Sequence, residues 1–291
     1  MGAVVVNGVF VGLIYGLLAV GLVVVYRVSR IVNFAYGETG MLCAFVFFGI
    51  RLHPTATRLV DHGILVALPA AMLLGAGIGA AMERIIARPL RTNPVLNGMV
   101  GTIATSLLFI TLGIDLWGPD VHVTKPLVQG EGITLLGLVV SPQQLLIGAC
   151  TVAILVALGT TYRFTSFGLR LRATAIDPYA ASLSGINTDA TAMGTWALAG
   201  ALSAVSAILI APLVAMNVVF MTFLALRSFA AALLGGLTSL VGAFCAGLLL
   251  GVAEGVITFK SPVAGMTDAV VAVGILVLLV VRPGGLVRAS Y

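Results

Sequence analysis

Arg163-Phe-Thr-Ser-Phe167-Gly-Leu-Arg170-Leu-Arg172-Ala-Thr-Ala-Ile-Asp177-Pro-Tyr-Ala-Ala-Ser-Leu-Ser-Gly185-Ile-Asn187 is a polar, arginine-bearing stretch set between two long apolar runs. The runs are Gln143–Tyr162 before it and Met193–Met216 after it. Each is about the 20 residues needed to cross the hydrocarbon of a bilayer, so the stretch between them is expected outside lipid. Its second half has the grammar of a short helix. Asp177 can cap an N-terminus, Pro178 suits the first helical position, and Gly185 stands where a left-handed exit is wanted. About two turns lie between them, too few to be stable alone in water. Two readings of the residues stay open: a short helix held between two spans, able to act as a lever on a soluble partner, or a solvated loop on the headgroups.

Working outward, the composition is that of a membrane protein. Hydrophobic residues make up 60% of the 291 positions and charged residues 9%, with a mean hydropathy of +1.17. A soluble domain is nearer one quarter charged. The net charge is +5, and all basic residues but Lys125 and Lys260 are Arg. Scattered in short loops, with no basic run, they read as topology signals rather than as a nucleic-acid surface.

Apolar spans are predicted at Val4–Tyr26, Ile31–Ile50, Gly63–Glu83, Leu96–Trp117, Gln143–Tyr162, Met193–Met216 and Pro262–Val281. The run Phe220–Ile257 is too long for one span, and Gly235-Gly236-Leu-Thr-Ser239 should break it into a short descending piece and a fuller returning one. No positively charged region precedes the first span, which is expected to be retained rather than cleaved. The positive-inside rule then places Arg27, Arg30, Arg84, Arg88, Arg91, Arg163, Arg170, Arg172, Arg282 and Arg288 on one side. Alternating spans satisfy this with the N-terminus outside and the C-terminus inside. Asp120, Lys125 and Glu131 then face outward, as do Arg51 and Arg58, partly offset by Asp61.

Two glycine series, Gly8/Gly12/Gly16 and Gly247/Gly251/Gly255, recur at four-residue spacing. Small residues on one helix face let backbones approach closely in lipid. Their placement near the two ends also hints at an internal repeat. Cys43, Cys150 and Cys245 lie in separate apolar runs and are expected to be small core residues without metal-ligand or disulfide spacing. Catalytic and nucleotide-binding motifs are missing. Gly75-Ala-Gly77-Ile-Gly79 lies mid-span without a following Lys, so it is no phosphate loop. His53, His62 and His122 fall in predicted loops without metal-ligand spacing, and Ser182 and Ser184 have no His nearby in sequence. If ATP drives this chain, another chain must bind it.

The second informative stretch is Ile31-Val-Asn33-Phe34-Ala-Tyr36-Gly37-Glu38-Thr-Gly40. An acid near membrane depth is expensive, about 2.5–3.5 kcal/mol on insertion scales, so Glu38 must face protein or water. A glycine beside it permits close approach or a broken helix at a cavity. Asn33, Phe34, Tyr36, Gly37 and Glu38 are therefore candidates to line a substrate path or gate. The competing reading has Asn33 capping the helix start and Glu38 hydrogen-bonding to a neighbouring helix. Glu254 and Asp268 are expected to be structural or interfacial.

Ile31–Ala44, with its Asn-Phe-Ala-x-Gly-Glu, resembles the early signature of permease subunits of branched-chain amino acid ABC importers, the LivH type. Arg170–Asn187, with Arg-x-Arg-Ala, Asp, Ala-Ala and Gly-Ile-Asn, resembles that family's cytoplasmic coupling segment. Leu234–Ala243 and the run to Glu254 resemble its later glycine-rich stretch. The resemblance covers Asn7 to about Leu286. It implies a second, homologous permease, two ATP-binding subunits and an extracytoplasmic solute-binding protein as partners. It also implies that Asp177–Gly185 sits in an ATPase groove, with Arg170, Arg172, Ala173, Asp177, Pro178, Tyr179, Ala180, Ala181, Leu183, Gly185, Ile186 and Asn187 as the coupling residues. Two departures stand out: Tyr36 where the family often has His, and Pro178 where it often has a charged residue.

The expectation is thus an all-α, polytopic membrane bundle of about 8–9 spans with broken or short helices. It forms one domain over residues 1–291, with a cytoplasmic coupling segment at 163–192. The expected function is the permease subunit of an ATP-driven importer for branched-chain or related amino acids in a bacterial plasma (inner) membrane. No catalytic residue, metal or cofactor is expected on this chain, ATP and Mg being held by partner subunits. Urea, short amides and aromatic acids are alternative substrates for such a permease. A stand-alone secondary transporter or channel would need intramembrane charges, for which the chain offers Glu38, Arg227, Glu254 and Asp268.

Overall fold

The computed structural model describes residues 1–49, 64–91, 94–135, 138–260 and the single positions 269 and 273. The span expected at Pro262–Val281 lies outside the described residues apart from those two positions. Arg51, Arg58, Asp61, His53, His62, Asp268, Arg282 and Arg288 lie outside them as well.

The described chain is a helical bundle. Its long helices are α1 (Gly2–Ser29), α3 (Ile64–Met82), α4 (Val95–Trp117), α5 (Pro142–Phe164), α8 (Thr188–Ile210) and α10 (Leu240–Lys260). Between them lie α2 (Tyr36–Phe48), α6 (Ser166–Ile176), α7 (Pro178–Leu183) and α9 (Phe220–Gly235). A small antiparallel hairpin, β1 (Ile133–Leu135) with β2 (Leu138–Val140), precedes α5. Among the described residues six helices are long and apolar enough to cross a membrane. At 1.5 Å per residue α2 and α9 reach only about 20 and 24 Å, short of a full hydrocarbon crossing of about 30 Å. The expected break in Phe220–Ile257 falls where Gly235–Ser239 put it, and the first piece is the shorter.

Burial divides the bundle into centre and periphery. The span windows of α1 and α8 are each 78% buried, whereas those of α4 and α5 are 17% and 11% buried. Leu96, Val100, Leu107, Leu108 and Leu112 on α4 point outward. A sequence apolar all round does not distinguish these helices, because lipid and protein interior are equally apolar neighbours.

The two glycine series meet in the fold. They face each other across one seam between α1 and α10. A Cβ on Gly8 would stand 2.8 Å from the Gly251 carbonyl oxygen, and one on Gly12 2.9 Å from the Leu248 Cα. Gly16 is matched with Gly247 and Phe244. The pairing runs from Gly8 to Gly16 as the partner runs from Gly251 back to Phe244, so the helices are antiparallel. α3 and α8 use the same device, with Gly75 against Gly200 and Gly79 against the Trp196 backbone. Cys43 is buried as expected and Cys150 half-buried, but Cys245 is exposed and belongs to no core.

Candidate functional site

The first candidate group lies where α1 hands over to α2. α1 ends because Arg30 turns left-handed, at φ 55°, with its N–H on the Tyr26 carbonyl. Six residues later α2 begins. The connecting loop is held from α4: Thr102 Oγ1 donates to the Val32 carbonyl at 3.1 Å and receives the Phe34 N–H at 3.3 Å. The competing reading in which Asn33 caps α2 does not hold in that part. Its Oδ1 accepts the Ala35 N–H at 3.0 Å, which shapes the loop, while Ala35 at the N-cap has no side-chain bond.

Tyr36, Gly37 and Glu38 form the first turn of α2, all buried. The Tyr36 ring lies against Gly21 of α1, and its hydroxyl has no partner among the described residues. Its carbonyl accepts from Ser203 Oγ of α8 at 2.6 Å. Gly37 and Gly40 are close-approach positions rather than hinges. A Cβ on Gly37 would stand 2.6 Å from the Met221 carbonyl oxygen, and one on Gly40 2.6 Å from that of Ser203. Glu38, 1% exposed, accepts from Thr222 Oγ1 of α9 at 2.7 Å through Oε1, while Oε2 is unpartnered among the described residues. The acid thus makes the tie to a neighbouring helix that the burial argument required.

Thr222 also borders a cavity of about 140 Å³ lined by Asn33, Phe34, Ser106, Leu226 and Phe229, among others. Phe34 and Phe229 meet edge to face at 5.7 Å across it. Of the five path candidates, Asn33 and Phe34 line this space, Glu38 reaches it through Thr222, and Tyr36 and Gly37 face the packed interior. Sequence reading missed Ser106, Thr222 and Phe229. They stand in apolar runs on α4 and α9, and nothing local marks them.

The second group is the segment between α5 and α8, where the local grammar is realised. Thr165 caps α6 by accepting the Gly168 N–H. Asp177 Oδ1 accepts from the Tyr179 and Ala180 N–H groups at 2.8 and 3.1 Å, capping α7 behind Pro178. Gly185 leaves at φ 80°, and the Ile186 N–H returns to the Ala181 carbonyl at 3.1 Å, closing the left-handed exit. Asn187 then caps α8 through the Ala190 N–H. The segment is therefore helix, cap, helix, cap, helix with no slack.

Its residues divide by face. Leu171, Thr174, Ala175 and Ala181 are buried against the bundle, Arg172, Ala173 and Ile186 are half-buried, and Arg170 and Asp177–Ala180 are exposed. Tyr179 and Leu183, one turn apart on α7, are each 73% exposed. Arg172 turns inward, its guanidinium 5.7 Å from the centre of the Tyr162 ring. Arg27 of α1 stacks on the same ring and donates to its hydroxyl at 2.6 Å. Arg30 donates to the Ala175 carbonyl at 3.2 Å. The segment is thus fastened to the end of α1.

Two further charge clusters escaped the sequence. Arg88 and Arg91, read only as topology signals, are ion-paired with Asp189 in the first turn of α8, and Arg91 also with buried Glu83. Arg227 pairs with Glu254 at 3.1 Å and donates to the Tyr15 hydroxyl at 3.1 Å, joining α9, α10 and α1. Glu254, expected to be structural or interfacial, is thus held at the meeting of three helices. Partners tens of residues apart in sequence cannot be paired from spacing.

A sequence model of the permease component of the branched-chain amino acid transport system matches residues 4–281. The high-affinity branched-chain amino acid transport system permease protein BraD of Pseudomonas aeruginosa is 33% identical over 292 residues, covering 97% of this chain and 94% of that protein. The corresponding permease protein LivH of Escherichia coli (strain K12) is 31% identical over 290 residues, again covering 97% and 94%. A probable branched-chain amino acid transport permease of Methanocaldococcus jannaschii is 26% identical over 84% of this chain and 76% of its own length. No solved structure matches the chain significantly.

Proposed function

The chain belongs to the branched-chain amino acid transport permease family, and on that premise we propose that it is a permease subunit of an ATP-driven importer for branched-chain amino acids. It forms part of the translocation path together with a second, homologous permease. A solute-binding protein delivers substrate from outside, and two ATP-binding subunits hold ATP and Mg and carry out hydrolysis. In this reading α7 seats in a groove of an ATP-binding subunit, the cavity beside Phe34 and Phe229 lies on the path, and Glu38 holds α2 to α9 at its edge. The chain lies in a bacterial plasma membrane with its N-terminus outside and its C-terminus inside.

The observation that carries this reading is α7 itself. Six residues, capped at both ends, present Tyr179 and Leu183 almost wholly outward. A helix this short does not persist in water unless something holds it. Here the caps and Ala181 hold one face and leave an apolar pair for a partner. The orientation is supported by the gathering of Arg27, Arg30, Arg91 and Arg172 at one end of the bundle through contacts with Tyr162, Ala175 and Asp189.

The test uses single cysteines at Ser182 and Gln129 in a chain lacking Cys43, Cys150 and Cys245, labelled in intact cells with an impermeant maleimide. Gln129 should label and Ser182 should not. Gly185→Val, which forces a β-branched residue to φ 80°, should leave insertion intact and reduce both substrate-stimulated ATP hydrolysis and uptake. External labelling of Ser182, or wild-type uptake with Gly185→Val, refutes the proposal.

A further inference from the structure

The end of α3 departs from α geometry: Glu83–Ala87 forms a π turn, and Arg88–Leu90 returns to α. A π turn accommodates an extra residue, is rare, and is frequent at functional sites. Here the residues holding it are charged. Glu83, the first residue of the turn and wholly buried, is ion-paired with Arg91 just beyond its end. Arg91 also bonds one Asp189 oxygen at 2.8 Å, and Arg88 pairs with the other. Asp189 lies two residues after Asn187, the cap that follows α7. One carboxylate therefore joins the π turn of α3 to the chain leaving the short exposed helix.

The joint has a second register open to it. Relaxing the π turn to α register rotates the chain beyond it by about 100° and shifts it by about 1.5 Å along the axis. Arg88 and Arg91 cannot then both keep Asp189. Space to move exists: Arg91 borders a cavity of about 240 Å³ shared with Arg30, Thr174, Pro178 and Thr188. Nearer the middle of α3, Gly75 and Gly79 lock it against α8 backbone. Rotation would therefore be confined to the end carrying the arginines.

We infer that Asp189 is a positioning residue for transport, passing displacement of α7 to α3. When a partner draws α7 and the start of α8 aside, Asp189 releases Arg88 and Arg91, and the Glu83–Ala87 turn relaxes. This rests on the reading of α7 as the coupling helix.

The test uses the assembled transporter, with its partner permease, ATP-binding subunits and solute-binding protein, reconstituted in proteoliposomes. Asp189→Asn should lower uptake per ATP hydrolysed by about fivefold or more, with assembly and basal hydrolysis unchanged. Asp189→Glu, which keeps a carboxylate for Arg88 and Arg91, should retain most of the ratio. An unchanged ratio in Asp189→Asn overturns the inference. So does a loss that tracks loss of assembled complex, or an Asp189→Glu chain no better than Asp189→Asn. A cross-link from Leu183→Cys to an ATP-binding subunit tests the coupling helix separately. If the cross-link forms and Asp189→Asn keeps a normal ratio, only the relay fails; if no cross-link forms in the otherwise unaltered chain, the coupling reading itself fails.

Discussion

Thr222→Val removes a single hydroxyl while keeping the branched shape, and Glu38 makes the consequence measurable. The hydroxyl donates at 2.7 Å to a carboxylate that is 1% exposed and has no other partner for Oε2 among the described residues. Interhelical hydrogen bonds in membranes average about 0.6 kcal/mol and reach about 1.7. Bonds to a charged acceptor run to about 1.5–3 kcal/mol. The bond joins α2 to α9 in a buried place, so Thr222→Val should destabilise the chain by about 1.5 kcal/mol, the upper part of the membrane range. Glu38→Gln keeps an acceptor oxygen and should lose less. The assay is reversible unfolding by dodecyl sulfate titration in mixed micelles, run on Thr222→Val, on Glu38→Met, which removes the acceptor outright, and on the double of these two. The cycle should return a coupling of about 1 kcal/mol, well above the additivity error of about 0.3–0.5. A coupling within that error would refute the tie. Uptake per assembled complex, compared at matched stability, separates path from scaffold: Glu38→Gln should reduce it, and unchanged uptake would leave Glu38 as a link between helices only.

Gly12→Val places a branched side chain where even a Cβ would lie 2.9 Å from the Leu248 Cα, so α1 and α10 must separate; a loss of at least about 1–3 kcal/mol is expected, the usual range for overpacking. Gly77→Ala, with open space around it, is the control and should be neutral in the same unfolding titration. Arg227→Met withdraws the cation from Glu254 and Tyr15, and the carboxylate left behind should lower stability by about 1–3 kcal/mol, discounted from the fully buried case because the pair is partly exposed. Combining it with Glu254→Gln should recover much of the loss.

Much of this protein was determined by the sequence alone, because the signals are local. Span lengths follow from apolar runs, and the break at Gly235–Ser239 follows from an excess of length over one crossing. The helix starts at Asp177 and Asn187 and the exit at Gly185 follow from side chains and φ preferences acting within four residues. Glu38 could be marked as needing a partner because a buried acid is costly wherever it lies. Which partner it takes was decided only by the tertiary structure, since Thr222 is 184 positions away. The same is true of Arg88 and Arg91 with Asp189, of the meeting of the two glycine series, and of the central place of α1 and α8. An apolar helix is equally content against lipid or protein, so its hydropathy cannot say which it faces; only the packing of small residues and the pairing of charges at a distance does.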